Sequence, residues 1–389
     1  MDYIRRAVEA RLRASLRRGR SVLLLGARQT GKTTLIGRLG ATRSISLVNP
    51  EARQRYERDP SLLTREVEAL ANRRRRPLVT IDEIQKVPAL VDAVQDLVDR
   101  RLAKFVLTGS SARKLRRGTG VNLLPGRVAT LRLDPLVLAE RAPESLDEAM
   151  FFGSLPGILA SRSTTARERD LRDYVTTYLE EEVRAEAIVR RLGAFGRFLE
   201  LAASQSGDIV NYRKLSQEIG VAHTTIQAYY EILEDCLIAE RIEPFTESRT
   251  RHKLTRSSRY VFFDLGVRRA AAREGTALTL ETRGRLFEQY VGLELLRRSR
   301  LAAKTTRLRF WRDPDGPEVD WIVESEKRLV PVEVKWTERP TPRDARNLFT
   351  FLREYDAAKR GYVVCRSPSR VALGSRVLAI PWQELGSVA

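Results

Sequence analysis

Histidine, cysteine and long apolar runs are what this chain of 389 residues has least of. Its two histidines, His223 and His252, nearly exclude a histidine-ligated metal centre or Ser-His-Asp hydrolysis. Its two cysteines, Cys236 and Cys365, lie far apart and outside any C-x-x-C spacing. Neither a disulfide framework nor a thiolate zinc site is therefore expected. No apolar run approaches the roughly 20 residues of a membrane-crossing helix. The opening stretch, MDYIRRAVEARLRASLRRGR, has no apolar signal core. A soluble cytoplasmic protein with no membrane partner is expected. Acidic residues are scarce relative to basic ones: 50 Asp and Glu face 70 Lys and Arg, a formal net charge of +20. Such a surplus favours a polyanionic partner such as nucleic acid, although an arginine-rich proteome would produce it too. Apolar residues, at 42%, suffice for real cores, and the length suggests two or three domains.

The most informative stretch is SVLLLGARQTGKTT, Ser21 to Thr34. Val22 to Leu25 reads as a buried strand. Gly26, Ala27, Arg28, Gln29, Thr30, Gly31, Lys32 and Thr33 then fit G-x-x-x-x-G-K-[ST], the P-loop, with Thr34 continuing into a helix. The glycines let backbone N–H groups turn towards phosphate oxygens, and the helix N-terminus faces the same anion. Lys32 is expected on the β and γ phosphates of ATP, and the Thr33 hydroxyl on Mg²⁺.

Fifty residues after Lys32, the strand Leu78 to Ile81 ends in Asp82-Glu83, the Walker B pattern. Asp82 is expected to hold Mg²⁺ and Glu83 to orient the attacking water. A further strand, Lys104 to Leu107, leads into Thr108-Gly109-Ser110-Ser111. Thr108 or Ser110 is the candidate γ-phosphate sensor. The strands suggest an open parallel sheet with one strand inserted between the two Walker strands. The basic stretch Ser111 to Arg127 offers an arginine finger acting on a neighbouring subunit, with Arg127 first and Arg113, Arg116 and Arg117 as competitors.

GARQTGKT, VTIDEIQ, LTGSS, LPGR and LDPL, between Gly26 and Leu136, resemble the AAA+ branch of P-loop ATPases. More closely, they resemble a prokaryotic ATPase family with GxRQxGKT, hhhhDEIQ, LTGSS, LxGR and hxPL. GSLPGIL, Gly153 to Leu159, fits the same family. The resemblance implies ATP hydrolysis and a homo-oligomer, with a hexameric ring as one form.

Beyond the ATPase core, Glu168 to Val189 reads as a helical lid and linker, with Tyr174 and Tyr178 as core residues. Tyr212 to Ile219, a turn at Gly220 to Ala222, and His223 to Leu233 have the pattern of a helix-turn-helix. The following CLIAERIEPF is a candidate hairpin wing. His223, Thr224, Thr225, Gln227 and Ala228 form the exposed side of the second helix, while RTRHK, Arg249 to Lys253, with Arg256, is better suited to phosphate.

The last segment carries a second constellation. A helix, Arg283 to Arg298, supplies Glu288; LRFWRD, EVDWIV and LVPVEVKW then read as three antiparallel strands. Alternation puts Glu318, Asp320 and Ile322 on one face and Val319, Trp321 and Val323 on the other. Glu333 and Lys335 share a face of the third strand. Glu288, Asp320 and Glu333 are expected to form a hard oxygen site for Mg²⁺ or Mn²⁺, with Lys335 placed to position a hydroxide or stabilise a pentacovalent phosphate. The pattern D…ExK over roughly Gly284 to Ala379 resembles the PD-(D/E)xK nucleases, and the ATPase family carries a C-terminal domain of this type.

The expected architecture is α/β: a P-loop AAA+ parallel-sheet domain (1–150), a helical lid (151–192), a winged helix (193–258) and an α/β PD-(D/E)xK nuclease-like domain (259–389). The expected function is an ATP-driven helicase or translocase on duplex or branched DNA, four-way junctions in particular. Its C-terminal domain either cuts DNA as a metal-dependent endodeoxyribonuclease or docks it. The alternative is an ATP-driven protein switch whose later domains bind partners.

Overall fold

The computed structural model describes residues 3–71, 76–111, 127–179, 192–248, 254–276, 279–302, 305–326 and 328–388. It divides into two compact units: residues 1–136 with Ile232–Ile238, and residues 137–231 with 239–389.

The first unit is built on a five-stranded parallel sheet of order β2-β3-β4-β1-β5. These strands are β1 Ser21–Leu25, β2 Arg43–Ser46, β3 Leu78–Asp82, β4 Lys104–Gly109 and β5 Val128–Arg132. β4 lies between β1 and β3, as expected, so the ends of the two Walker strands flank its own end. Central strands reading VLLL and VTI have no polar face because helices cover both sides of such a sheet. Every residue of β1 is buried accordingly. Helix α1, Val8–Arg17, precedes β1. The helix Lys32–Gly37 follows the P-loop directly. Pro50–Arg58 is a helix that the sequence reading left unassigned; Asn49 caps it by accepting from Glu51 and Ala52 N–H, and Pro50 occupies the first turn.

Helices Tyr212–Ile219 and His223–Asp235 flank the turn at the expected residues, and Gly220 closes the first helix at φ 76°. Leu215, Ile219, Ile226 and Tyr230 are buried. Tyr230 stacks on Tyr260 with ring centroids 4.2 Å apart. The strand Ala239–Ile242 does not close a hairpin within CLIAERIEPF. Its partner is Arg259–Phe262, antiparallel, across the boundary expected at 258/259. The cluster Arg249 to Lys253 lies outside the described residues, as do Arg113, Arg116 and Arg117. Tyr174 is buried, a core residue as expected.

The second unit carries a six-stranded sheet. β8 Thr306–Arg312, β9 Glu318–Ser325 and β10 Arg328–Val334 form the expected antiparallel meander. β11 Gly361–Cys365 joins β10 in parallel, followed by β13 Val377–Pro381 and β12 Val371–Gly374. The long helix Leu280–Leu301 packs on one face through Phe287, Val291 and Leu295. Arg346–Glu354 packs on the other through Leu348, Phe351 and Leu352. Strict alternation along β9 fails. The pairing shifts between Trp311↔Val319 and Arg309↔Ile322, which gives β9 one extra residue. Val319 and Ile322 consequently enter one core and Trp321 the other.

Glu148 shows how this unit is tied together. Its buried carboxylate accepts from Arg167 at 3.1 Å, Arg141 at 3.2 Å and the Glu144 N–H at 2.6 Å. Burial would raise its pKa, but these bonds outweigh burial and lower it. A carboxylate depressed in the folded state adds stability above its unfolded pKa, and that stability is lost as pH falls through the folded value. Glu148→Gln is therefore expected to cost about 3 kcal/mol at pH 7 and to flatten the acid limb of a stability-against-pH curve from denaturant melts. An equal loss at pH 7 and pH 3 would contradict this.

Candidate active site

Gly26 begins the P-loop where a side chain has no room: a Cβ there would lie 2.5 Å from the Leu133 carbonyl oxygen and 2.9 Å from Thr30 Oγ1. Gln29 and Gly31 take left-handed backbone, φ 62° and 95°, which turns the loop back onto the helix starting at Lys32. Ala27 and Thr30 are buried, Thr30 Oγ1 donates to the Ala27 carbonyl at 2.9 Å, and Arg28 is half-buried. Lys32 is buried, and its Nζ donates to the carbonyls of Gly26 (2.9 Å) and Ala27 (3.0 Å), 3.7 Å from Glu83 Oε1. Thr33 and Thr34 reach the surface.

The expected Walker residues come together. Thr33 Oγ1 donates to Asp82 Oδ2 at 2.8 Å, which brings the two candidate magnesium ligands together. Thr108 Oγ1 donates to Asp82 Oδ1 and accepts from the Glu83 N–H at 3.0 Å. Ser110 Oγ donates to Glu83 Oε2 at 3.0 Å, and Gln85 Nε2 donates to both Ser110 Oγ and Glu83. Thr108 thus fixes Asp82, and Ser110 fixes Glu83. Glu83 itself takes φ 58°, a conformation uncommon for a residue with a side chain, which places it beside Lys32 at the strand end.

Arg127 is not in this cluster. It precedes β5 at the entry edge of the sheet, opposite the strand ends that carry the P-loop, and forms an ion pair with Asp99.

Sequence reasoning missed Arg6. Its buried guanidinium donates to the Thr30 carbonyl and the Asp134 carbonyl, both at 2.6 Å, and so holds the P-loop from behind. No motif marks it; the only sign is an arginine ahead of the apolar positions of α1. Arg6→Met removes two charge-assisted bonds, so ATP affinity is expected to fall about tenfold, consistent with the roughly 1.5–3 kcal/mol of such a bond. Titration with a fluorescent nucleotide checks this, and unchanged affinity would rule it out.

In the second unit, Glu288, Asp320, Glu333 and Lys335 form one electrostatic cluster. Asp320 Oδ2 accepts from the Val334 N–H at 2.8 Å, and Lys335 Nζ donates to Glu333 Oε1 at 2.8 Å. Glu333 Oε2 is buried without a hydrogen-bond partner. Burial, then Asp320, raises Glu288 against the opposing pull of Arg259, and burial likewise raises Asp320 and Glu333. Burial alone would lower Lys335, but the adjacent Glu333 outweighs it and raises its pKa. A cleft of about 600 Å³ opens onto Glu288 and Asp320, with Arg259, Arg285 and Arg312 among its walls. Arg259, to which sequence reasoning gave no role, donates to Glu288 Oε1 at 3.0 Å. An excess of buried carboxylates and an orphaned Glu333 oxygen suit a cation, but Glu288 is engaged by Arg259. Among the described residues no group of three or more His, Cys, Asp or Glu stands ready to hold a metal.

The parallel sheet and the Walker cluster fit an AAA-like domain, a kind of domain that uses nucleotide and usually magnesium. Residues 18–142 match a family model described as AAA domain. Residues 143–278 match "Domain of unknown function (DUF8612)" and residues 283–385 "Domain of unknown function (DUF4143)". The chain is similar to "Uncharacterized protein Rv2008c" of Mycobacterium tuberculosis, 29% identical over 388 residues, covering 98% of this chain and 84% of the relative. The same figures hold for "Uncharacterized protein Mb2031c" of Mycobacterium bovis. Among solved structures, protein VC1899 from Vibrio cholerae aligns over 95% of this chain and 96% of its own. Its identity is 11% and its TM-score 0.19, too low to carry an argument. No helix among the described residues is long and apolar enough to cross a membrane.

Proposed function

We propose that the chain is an ATP-hydrolysing motor that acts on DNA, branched DNA such as four-way junctions in particular. Its C-terminal carboxylate cluster belongs to a PD-(D/E)xK-type site for phosphodiesters. The hydrogen-bonded chain Thr33–Asp82–Thr108 beside Lys32 carries the motor half of this reading. The P-loop N–H groups and Lys32 bind the phosphates. Thr33 and Asp82 would hold magnesium, which would supply neutralising charge to the phosphates. Glu83, oriented by Ser110 and Gln85, aligns the water that attacks the γ-phosphate. Arg127, remote from its own site, is the candidate finger for a neighbouring subunit in a homo-oligomer, for instance a hexameric ring.

Support for DNA comes from the net charge of +20, from the exposed His223, Thr224 and Gln227 on the second helix of the helix-turn-helix pair, and from the arginines of the cleft. The helices and the strand pair Ala239–Ile242 and Arg259–Phe262 are read as a winged helix. Glu288, Asp320 and Glu333 are the candidate ligands for Mg²⁺ or Mn²⁺, and Lys335 the candidate group for the scissile phosphate. Labelled four-way, forked and linear DNA, incubated with ATP and Mg²⁺ or Mn²⁺, tests the assignment. Lys32→Ala should lose strand separation and Glu333→Ala only cutting. If neither cutting nor unwinding occurs and no DNA is bound, the motor reading falls.

One observation favours a second reading. The Arg259–Glu288 ion pair uses up an expected metal ligand. A C-terminal domain left in that arrangement docks DNA or protein without cutting, and the ATPase then works as a switch.

A further inference from the structure

Three arginines wall the C-terminal cleft, and each faces a carboxylate: Arg285 with Asp208 at 2.6 Å, Arg312 with Glu318 at 3.5 Å and Arg259 with Glu288 at 3.0 Å. The first two are surface pairs, worth little. Arg259 differs. It is 5% exposed, and its guanidinium carbon lies 4.4 Å from the centroid of Phe310 and 6.0 Å from that of Trp321. Trp321 in turn donates its indole N–H to the Glu288 carbonyl at 3.0 Å, so ring, arginine and glutamate are fixed together. Arg259 comes from the strand Arg259–Phe262 and Glu288 from the helix Leu280–Leu301, and both line the cleft. Two atoms here are buried without partners: Arg259 Nε and Glu333 Oε2. A fixed cation thus sits on one carboxylate of the cluster, while one oxygen of another, Glu333 Oε2, lacks a hydrogen-bond partner.

We infer that Arg259 is a latch on the carboxylate site: its ion pair withholds Glu288 from a divalent cation, and a phosphodiester entering the cleft releases it. This rests on the metal-site reading above. A phosphodiester offers an arginine a bidentate partner, which satisfies the donor now orphaned. Moving Arg259 onto it frees Glu288 to join Asp320 and Glu333 around a cation. Metal and substrate then bind with positive coupling, and each raises the affinity for the other by the same factor. Arg259 acts here as a positioning residue.

The test is Mn²⁺ titration of the full chain, followed by the spin resonance of free Mn²⁺. An Asp82→Asn background removes the nucleotide-site ion. The unmodified cleft should bind Mn²⁺ weakly. Arg259→Met should tighten binding at least about tenfold, the scale of outer-shell effects on metal sites, and adding Glu288→Gln should abolish the gain. A short single-stranded oligonucleotide should tighten Mn²⁺ binding of the Arg259 protein and leave that of folded Arg259→Met unchanged. Equal Mn²⁺ affinity with and without oligonucleotide overturns the latch even if Arg259→Met does not fold. If tight binding depends on Asp320 but Arg259→Met adds nothing, the latch alone fails. If no variant binds Mn²⁺, the metal-site reading fails and the latch with it.

Discussion

Lys32→Ala is expected to lower ATP turnover at least about 10²–10³-fold, the loss seen when one preorganised electrostatic stabiliser is removed. The Lys32 ammonium is buried among the Gly26 and Ala27 carbonyls, 3.7 Å from Glu83, so its charge acts in a water-poor site. Glu83→Gln should behave differently. It leaves the P-loop and Lys32 intact, so nucleotide still binds while kcat falls. Together the two variants separate binding from chemistry: nucleotide titration should show weak binding for Lys32→Ala and near-normal binding for Glu83→Gln. Normal turnover by either would remove this site from the chemistry.

The largest stability effect is expected at Gly153. Its φ of 67° and ψ of −148° lie in a region essentially reserved for glycine. A Cβ there would meet Asp264 Oδ1 at 2.0 Å. Asp264 cannot give way. It is fully buried, accepts from the N–H groups of Ser154 at 2.7 Å and Val267 at 3.1 Å, and caps the helix Leu265–Ala271. Arg297 completes the knot, donating to Ser154 Oγ at 2.9 Å and the Phe263 carbonyl at 2.7 Å. Gly153→Ala therefore combines backbone strain of about 1–3 kcal/mol with disruption of a buried network, for a loss of about 4 kcal/mol. Gly284→Ala is the control. It lies inside the helix Leu280–Leu301 with nothing within 4 Å of the added carbon, and should gain about 0.5–1 kcal/mol. Denaturant melts of both decide the matter; a loss below about 1 kcal/mol at Gly153 would refute the knot.

Much of the ATPase half was legible because its chemistry is local. The P-loop requires glycines and Lys32 at fixed spacing, and Walker B is an apolar strand ending in acid. Parallel strands buried on both faces announce themselves as apolar runs. Arg6 was not legible: its partners are main-chain carbonyls of Thr30 and Asp134, distant in sequence and without side-chain signature. The helix-turn-helix pair was readable from a regular apolar stripe with Gly220 at the turn. The partner of the strand Ala239–Ile242 was not, because a pairing across a long connection leaves no local trace. Along β9 the two-residue period failed at the extra residue near Asp320. Arg259 escaped for a related reason: it opens a short buried strand, and only the fold brings it to Glu288.

The most direct test of the whole account is ATP turnover by the full chain, alone and with four-way, forked or linear DNA, at low and moderate salt. The account predicts stimulation by DNA, strongest with the four-way junction. It also predicts that the stimulation falls steeply with salt, as binding driven by phosphate contacts must. Vigorous turnover that no DNA form alters at either salt concentration would contradict the account and leave an ATP-driven switch in its place.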